Sequence, residues 1–317
     1  MRSTSRTIAP LGALLLAAVG TACPGRAAAQ APARGFAVER LQLAPAGSGW
    51  VALDDLRQEG LGGAVSLAAS WAGEPLVVRS GGARVAVVRG QAFADLGLAV
   101  DWERLRVHAH LPSPLHGGGD SGVVAGTVFA APRVSLERNP DALSDAELGA
   151  DVRVLGDAGS ALRLGASARL LVPSGASADY VTDGTVRGVA LLQVAGDAGR
   201  LAWAAHAGVH LRPLDQPAVP DAPRGSELLF AAAAGVRVPV GARVVLVAGP
   251  EVLGATAFRD LLASDATALE ALLAVRSEGV DGRGPLCVKL GAGAGLHARF
   301  GAPDWRVVAA VELRGRR

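Results

Sequence analysis

The feature that most constrains this chain is an alternation of aliphatic with polar or small residues, sustained over long runs and repeated along most of its length. In residues 105–111, Leu105, Val107, Ala109 and Leu111 fall on one face, and Arg106, His108 and His110 on the other. Residues 201–212 repeat the pattern: Leu201, Trp203, Val209 and Leu211 oppose His206, His210 and Arg212. Further on, Leu162, Leu164, Leu170 and Val172 oppose Arg163, Ser167 and Arg169, and Trp305, Val307, Val311 and Leu313 oppose Arg306 and Glu312. A period of two is the mark of strands whose two faces meet different surroundings.

Alternation alone does not say which face is wet. Strand length narrows the choice, because soluble strands usually have about 5 or 6 residues, whereas a tilted strand crossing hydrocarbon needs about 9 to 11. The spacing predicts strands near 64–72, 84–100, 103–112, 147–156, 161–173, 185–196, 200–212, 226–238, 241–254, 267–279, 285–298 and 304–314. Short links at 101–102, 156–160, 196–199, 239–240 and 280–284 alternate with longer ones at 72–83, 112–146, 172–184, 213–225 and 255–266; only the last, near 302, is brief. Periplasmic turns and extracellular loops alternate in this way in outer-membrane barrels. The expected fold is therefore all-β: a transmembrane antiparallel up-and-down barrel of about 12 strands, aliphatic side toward lipid, small and polar side toward the lumen.

Two stretches compete with this reading. Residues 261–275 could form a helix capped near Ser264 or Asp265, and 113–146, with Pro112, Pro114, Pro132 and Pro140 in or beside it, could hold a short helix or an extra hairpin. Aromatic residues make up only 4%, so the interfacial girdles would be thin.

The apolar stretch near 8–22 follows Arg2 and Arg6 and precedes Ala27-Ala28-Ala29, which reads as a signal peptide over 1–29. Residues 30–62 are then an N-terminal periplasmic or lumen segment, and 63–317 the barrel. Cys23 invites a lipoprotein reading, but Gly20 stands where that signal needs a branched apolar residue. After cleavage only Cys287 remains, which excludes an internal disulfide. A net charge of +2 makes no case for nucleic-acid binding, and Lys289 is the only lysine. No apolar run after the signal is long enough for a helical membrane span.

Several elements resemble the outer-membrane barrels that precede an OmpA-like peptidoglycan-binding domain in myxobacterial surface proteins. The likeness is carried by residues 36–41 with Pro45-Ala46-Gly47, by 74–78, 105–112 and 268–273, and by 290–296 with Gly301-Ala302-Pro303. It implies a barrel and no catalytic residues. The chain as read stops at Arg317 without the peptidoglycan-binding domain or a terminal aromatic residue, so attachment to the cell wall is not expected.

The residues expected to line the lumen are Arg106, His108, His110, Arg153, Arg163, Arg169, His206, His210, Arg212, Arg237, Arg243, Glu251, Glu270, Arg276, Lys289, Arg306 and Glu312. Asp151 and Glu227 share that face. Eight-stranded barrels are filled by side chains and 16-stranded porins hold water, so about twelve strands leave two readings. Either excess arginine lines a narrow pore and attracts small anionic solutes, or Arg–Glu pairs plug the lumen.

Other motifs carry less. Gly-Asp-Ser-Gly at 119–122 imitates a serine-protease nucleophile but lacks that family's histidine motif, and the glycine-rich 291–295 reads as strand. Ala207 stands where a zincin helix needs glutamate between His206 and His210, so neither a metal nor a cofactor is expected. The expectation is a non-enzymatic outer-membrane barrel of a Gram-negative bacterium, a porin-like transporter or a surface scaffold. Its partners would be outer-membrane lipid and, during biogenesis, the barrel assembly machinery. The alternatives are a soluble periplasmic β-barrel that binds small ligands and an outer-membrane lipid hydrolase.

Overall fold

Each alternating run forms a long strand that pairs with a strand on either side. The structure is a computed structural model that describes residues 35–80, 82–214, 225–279, 284–297 and 301–316. The expected signal peptide and Cys23 lie outside the described residues. The strands are β1 (Leu61–Ser80), β2 (Ala83–Trp102), β3 (Leu105–Gly118), β4 (Gly122–Val124), β5 (Thr127–Phe129), β6 (Val134–Ser135), β7 (Ala146–Leu155) and β8 (Arg163–Val172). They continue with β9 (Arg187–Ala198), β10 (Leu201–Leu211), β11 (Glu227–Val240), β12 (Val244–Ala257), β13 (Thr267–Gly279), β14 (Leu286–His297) and β15 (Trp305–Arg316). Apart from the three short strands β4–β6, each pairs antiparallel with its neighbours in order, and β1 pairs with β15 as well as β2. The result is a closed antiparallel barrel of twelve long strands, which leaves no sheet edge unpaired.

The faces are inverted relative to a soluble domain. Outward Leu67 is 62% exposed and Leu192 74%, while inward Arg106 and Arg306 are each 1% exposed. Charged residues are almost never fully buried unless paired, and here they turn inward where partners are found.

The structure bears out the expected strand at 267–279 against its helical alternative and corrects one expected link. Residues 261–275 do not form a helix: a short 3-10 turn at Phe258–Asp260 leads into β13, which pairs with β12 through twelve consecutive registers from Val244↔Gly279 to Ala255↔Ala268 and on to Thr256↔Thr267. Nor is 72–83 a long link. β1 and β2 form one hairpin that runs past a register shift at Gly73–Val77, where Glu74 takes φ +51° ahead of Pro75. A bulge carries the hairpin past Pro75. The segment 113–146 contains the β4–β5 hairpin and β6. At this end of the barrel Leu76, Val78, Val87 and Val88 pack with Val124, Phe129, Tyr180 and Phe36 into an apolar cap.

Candidate functional site

The barrel closes around residues 35–59, a strap that runs from the loop end to the turn end of the lumen. Its sequence has no strand period, so its polar backbone must find partners on the wall. Three sets of contacts provide them.

At the loop end, Ala37 N–H donates to Asp183 Oδ1 (2.8 Å), and Val38 N–H to the Tyr180 carbonyl (3.1 Å). Arg212 holds Asp183 at 2.7 Å and Glu227 at 2.9 Å, and Arg40 of the strap meets the same Glu227 at 2.9 Å. His210 Nδ1 lies 3.4 Å from Glu227. Burial works to raise the Asp183 carboxyl, but the Arg212 and Arg187 guanidiniums and the Ala37 N–H outweigh it and hold it below the ordinary carboxylate value.

Mid-lumen, Glu251 of β12 accepts the N–H of Val51 (2.8 Å) and of Ala52 (3.0 Å). Lys289 of β14 donates to the Trp50 carbonyl (3.0 Å) while paired with Glu312 at 2.6 Å; Glu312 also accepts from Arg314 at 2.9 Å. The Arg276 guanidinium lies 4.2 Å from the Trp50 ring centroid and 3.3 Å from Glu278. Arg306 joins Glu270 (2.6 Å) to Glu39 of the strap (2.9 Å). Inward glycines seat the strap's side chains: a Cβ on Gly235 would stand 3.0 Å from Trp50 Cη2, and one on Gly165 would stand 2.8 Å from Leu56 Cδ2. The strap turns at Pro45-Ala46-Gly47-Ser48, where Gly47 has φ +87° and Ser48 N–H returns to the Pro45 carbonyl at 3.0 Å.

At the turn end, Arg106 binds Asp101 (2.7 Å), Asp54 (3.1 Å) and Ser48 (3.0 Å). Arg163 donates to the Asp55 carbonyl and to Asp197, each at 2.8 Å, and Arg237 pairs with the same Asp197. Arg57 of the strap reaches Asp197 at 2.7 Å and Glu278 at 3.1 Å. Arg153 donates to the carbonyls of Gln58 (2.8 Å) and Gly156 (2.9 Å).

A separate cluster lies beside the strap. Strand register sets His110 directly opposite Glu147 and His108 opposite Gly149. His110 Nδ1 donates to Asp95 (2.7 Å), His108 Nε2 stands 3.1 Å from Asp151, and His108 Nδ1 stands 3.8 Å from Glu147. Arg169 lies 3.5 Å from Glu147. His110, Asp95 and Glu147 border a cavity of about 110 Å³ between the strap and the wall. Half-buried His206 borders a second, of about 50 Å³.

One predicted lumen residue is misplaced. Arg243 lies in the exposed turn at 241–243, because β12 begins only at Val244 and the inward positions next in phase are Val245 and Val247. The sequence reading missed the strap's own acids and Asp95, Glu147, Asp183 and Asp197. Glu147 is in phase with Asp151, which the sequence places on the inward face, so the period of two could have found it; the strap residues had no period to reveal them. Ser121 Oγ accepts the Ala131 N–H at 2.9 Å in the loop, and residues 291–295 belong to β14.

No family model and no curated protein matches the chain. An outer-membrane channel from Pseudomonas putida F1 is similar in structure, with a TM-score of 0.50 and 13% identity over 81% of this chain and 96% of that one. The NanC porin aligns over 80% of this chain and 99% of its own at 7% identity, with a TM-score of 0.45. The β domain of the Bordetella autotransporter BrkA aligns over 80% and 99% at 14% identity, with a TM-score of 0.39. At such identities the likeness to the first of these is one of fold.

Proposed function

We propose that this protein is a non-enzymatic outer-membrane barrel of the channel kind, closed at rest by its own strap. The observation that carries the reading is the pinning of Trp50, Val51 and Ala52 to Lys289 and Glu251 in mid-lumen. The belt of exposed Leu, Val and Trp supports a hydrocarbon surround, since a soluble barrel with so large an apolar surface would aggregate. Strands of ten residues or more suit a tilted crossing.

The charge of the plug points to the cargo. Residues 35–59 contain Glu39, Asp54, Asp55 and Glu59 against Arg40 and Arg57, four negative charges against two positive, a net −2. Undocking strips Asp54 from Arg106 and Glu39 from Arg306, so the opened wall favours small anionic solutes. The likeness to barrels ahead of OmpA-like domains joins this proposal, since residues 36–41 and 45–47 that carry it belong to the strap.

A planar-bilayer recording tests the reading. The refolded full chain should be nearly silent, and a variant lacking residues 36–57 should conduct with anions preferred. Steady conductance by the full chain, or silence from a deletion variant whose heat-modifiable mobility shows a folded barrel, would refute the plug. Recovery of the protein in the soluble periplasm without detergent would refute the membrane assignment.

A further inference from the structure

We propose that His108, His110 and Glu147 form a binding site on the lumen wall for a divalent first-row transition metal of the zinc class. One ring nitrogen from each histidine and one Glu147 oxygen lie within 4.8 Å of one another, and all three residues are buried.

Neighbouring carboxylates prepare both rings for the role. A carboxylate can only accept, so Asp95 fixes the proton of His110 on Nδ1 and leaves Nε2 with its lone pair. Asp151 Oδ2 stands 3.1 Å from His108 Nε2 without hydrogen-bond geometry, close enough to take its proton after a small ring rotation, and Nδ1 faces Glu147. Among the described residues His110 Nε2 and both ring nitrogens of His108 lack a hydrogen-bond partner, although His108 and His110 are 2% and 5% exposed. Buried polar atoms without partners are uncommon and call for an explanation. A metal-ligating histidine ordinarily gives its other nitrogen to a carboxylate or carbonyl, which is the arrangement of His110 with Asp95, and Asp151 stands beside the corresponding nitrogen of His108.

The backbone makes room for this pair and for little else. A Cβ on Gly149 would stand 2.3 Å from the His108 ring, and one on Gly97 would stand 3.1 Å from the His110 ring. Glycine at these two positions of the flanking strands leaves space for the two imidazoles, whose planes meet at 75° with centroids 5.8 Å apart. The local charge also fits a dication: Asp95, Glu147 and Asp151 face Arg169, three negative charges against one positive. The adjoining cavity of about 110 Å³ has space for a water as fourth ligand. Tetrahedral zinc, with bonds of about 2.0–2.1 Å, needs ligand atoms about 3.4 Å apart. Small ring and carboxylate rotations close that distance, with Arg169 yielding Glu147 to the metal.

The test is titration of the full chain, refolded in detergent and carrying no polyhistidine tag, with zinc by calorimetry and with cobalt by visible absorption. One equivalent should bind, with the absorption of a four-coordinate cobalt centre. His108→Ala and His110→Ala should each lower affinity at least tenfold, and Gly149→Ala should weaken it by displacing the His108 ring. Asp95→Asn should cost about 10- to 100-fold while removing no ligand. It serves where a histidine variant fails to give heat-modifiable mobility. No binding by the wild-type chain, binding unchanged in folded His108→Ala, His110→Ala or Asp95→Asn, or binding abolished instead by His206→Ala would overturn the site.

Discussion

Glu251→Ala isolates the contact that holds the strap in mid-lumen. Glu251 is 0% exposed, and its two oxygens accept the Val51 and Ala52 N–H groups at 2.8 and 3.0 Å. A hydrogen bond to a charged group contributes roughly 1.5–3 kcal/mol, so the pair comes to about 3–6 kcal/mol, partly offset because the buried carboxylate's own desolvation is removed. At about 3 kcal/mol the ratio of docked to undocked strap shifts by roughly two orders of magnitude. Trypsin cleavage after Arg40 and Arg57 reports the undocked population when docking is fast relative to cleavage. The refolded variant should be cut about 100-fold faster than the wild type, and Glu251→Gln should be intermediate because its amide oxygen still accepts one N–H. A Glu251→Ala barrel with intact heat-modifiable mobility and wild-type cleavage rates would show that this carboxylate does not hold the strap.

Two more outcomes follow from the geometry. Leu192→Arg places a guanidinium at the middle of β9 on the outer face; in a bilayer it should cost about 2–4 kcal/mol in denaturant unfolding from vesicles, whereas a change within about 0.5 kcal/mol would mean that this face meets water. Asp183 has a folded pKa below its unfolded one, so its contribution is present above about pH 4 and is lost as pH falls through the lowered folded value. The hydrogen-exchange protection factor of the Ala37 amide should therefore fall on acidification, and Asp183→Asn should lower it at neutral pH and flatten the acid response. Equal protection in both chains across the range would contradict the clamp.

The twelve strands and their facing were legible because side-chain direction in a strand repeats every two residues, a purely local property. Arg106, His108 and His110 could be assigned to the lumen from residues 105–111 alone, and the structure buries all three. Arg243 failed on a local boundary: its phase matches Glu251, but the strand starts one residue too late to carry it inward. The β1–β2 hairpin exceeded its expected bounds because a bulge at Glu74–Pro75 is stabilised by packing that no short window contains. What occupies the lumen was decided only by the closed fold. Glu251 lies about two hundred positions from the amides that it holds (|i−j| of 200 and 199), and His110 meets Glu147 only because β3 pairs with β7 in one particular register. A period of two says which way a side chain points, whereas its partner is set by closure of the ring, which brings distant segments into one small, water-poor space.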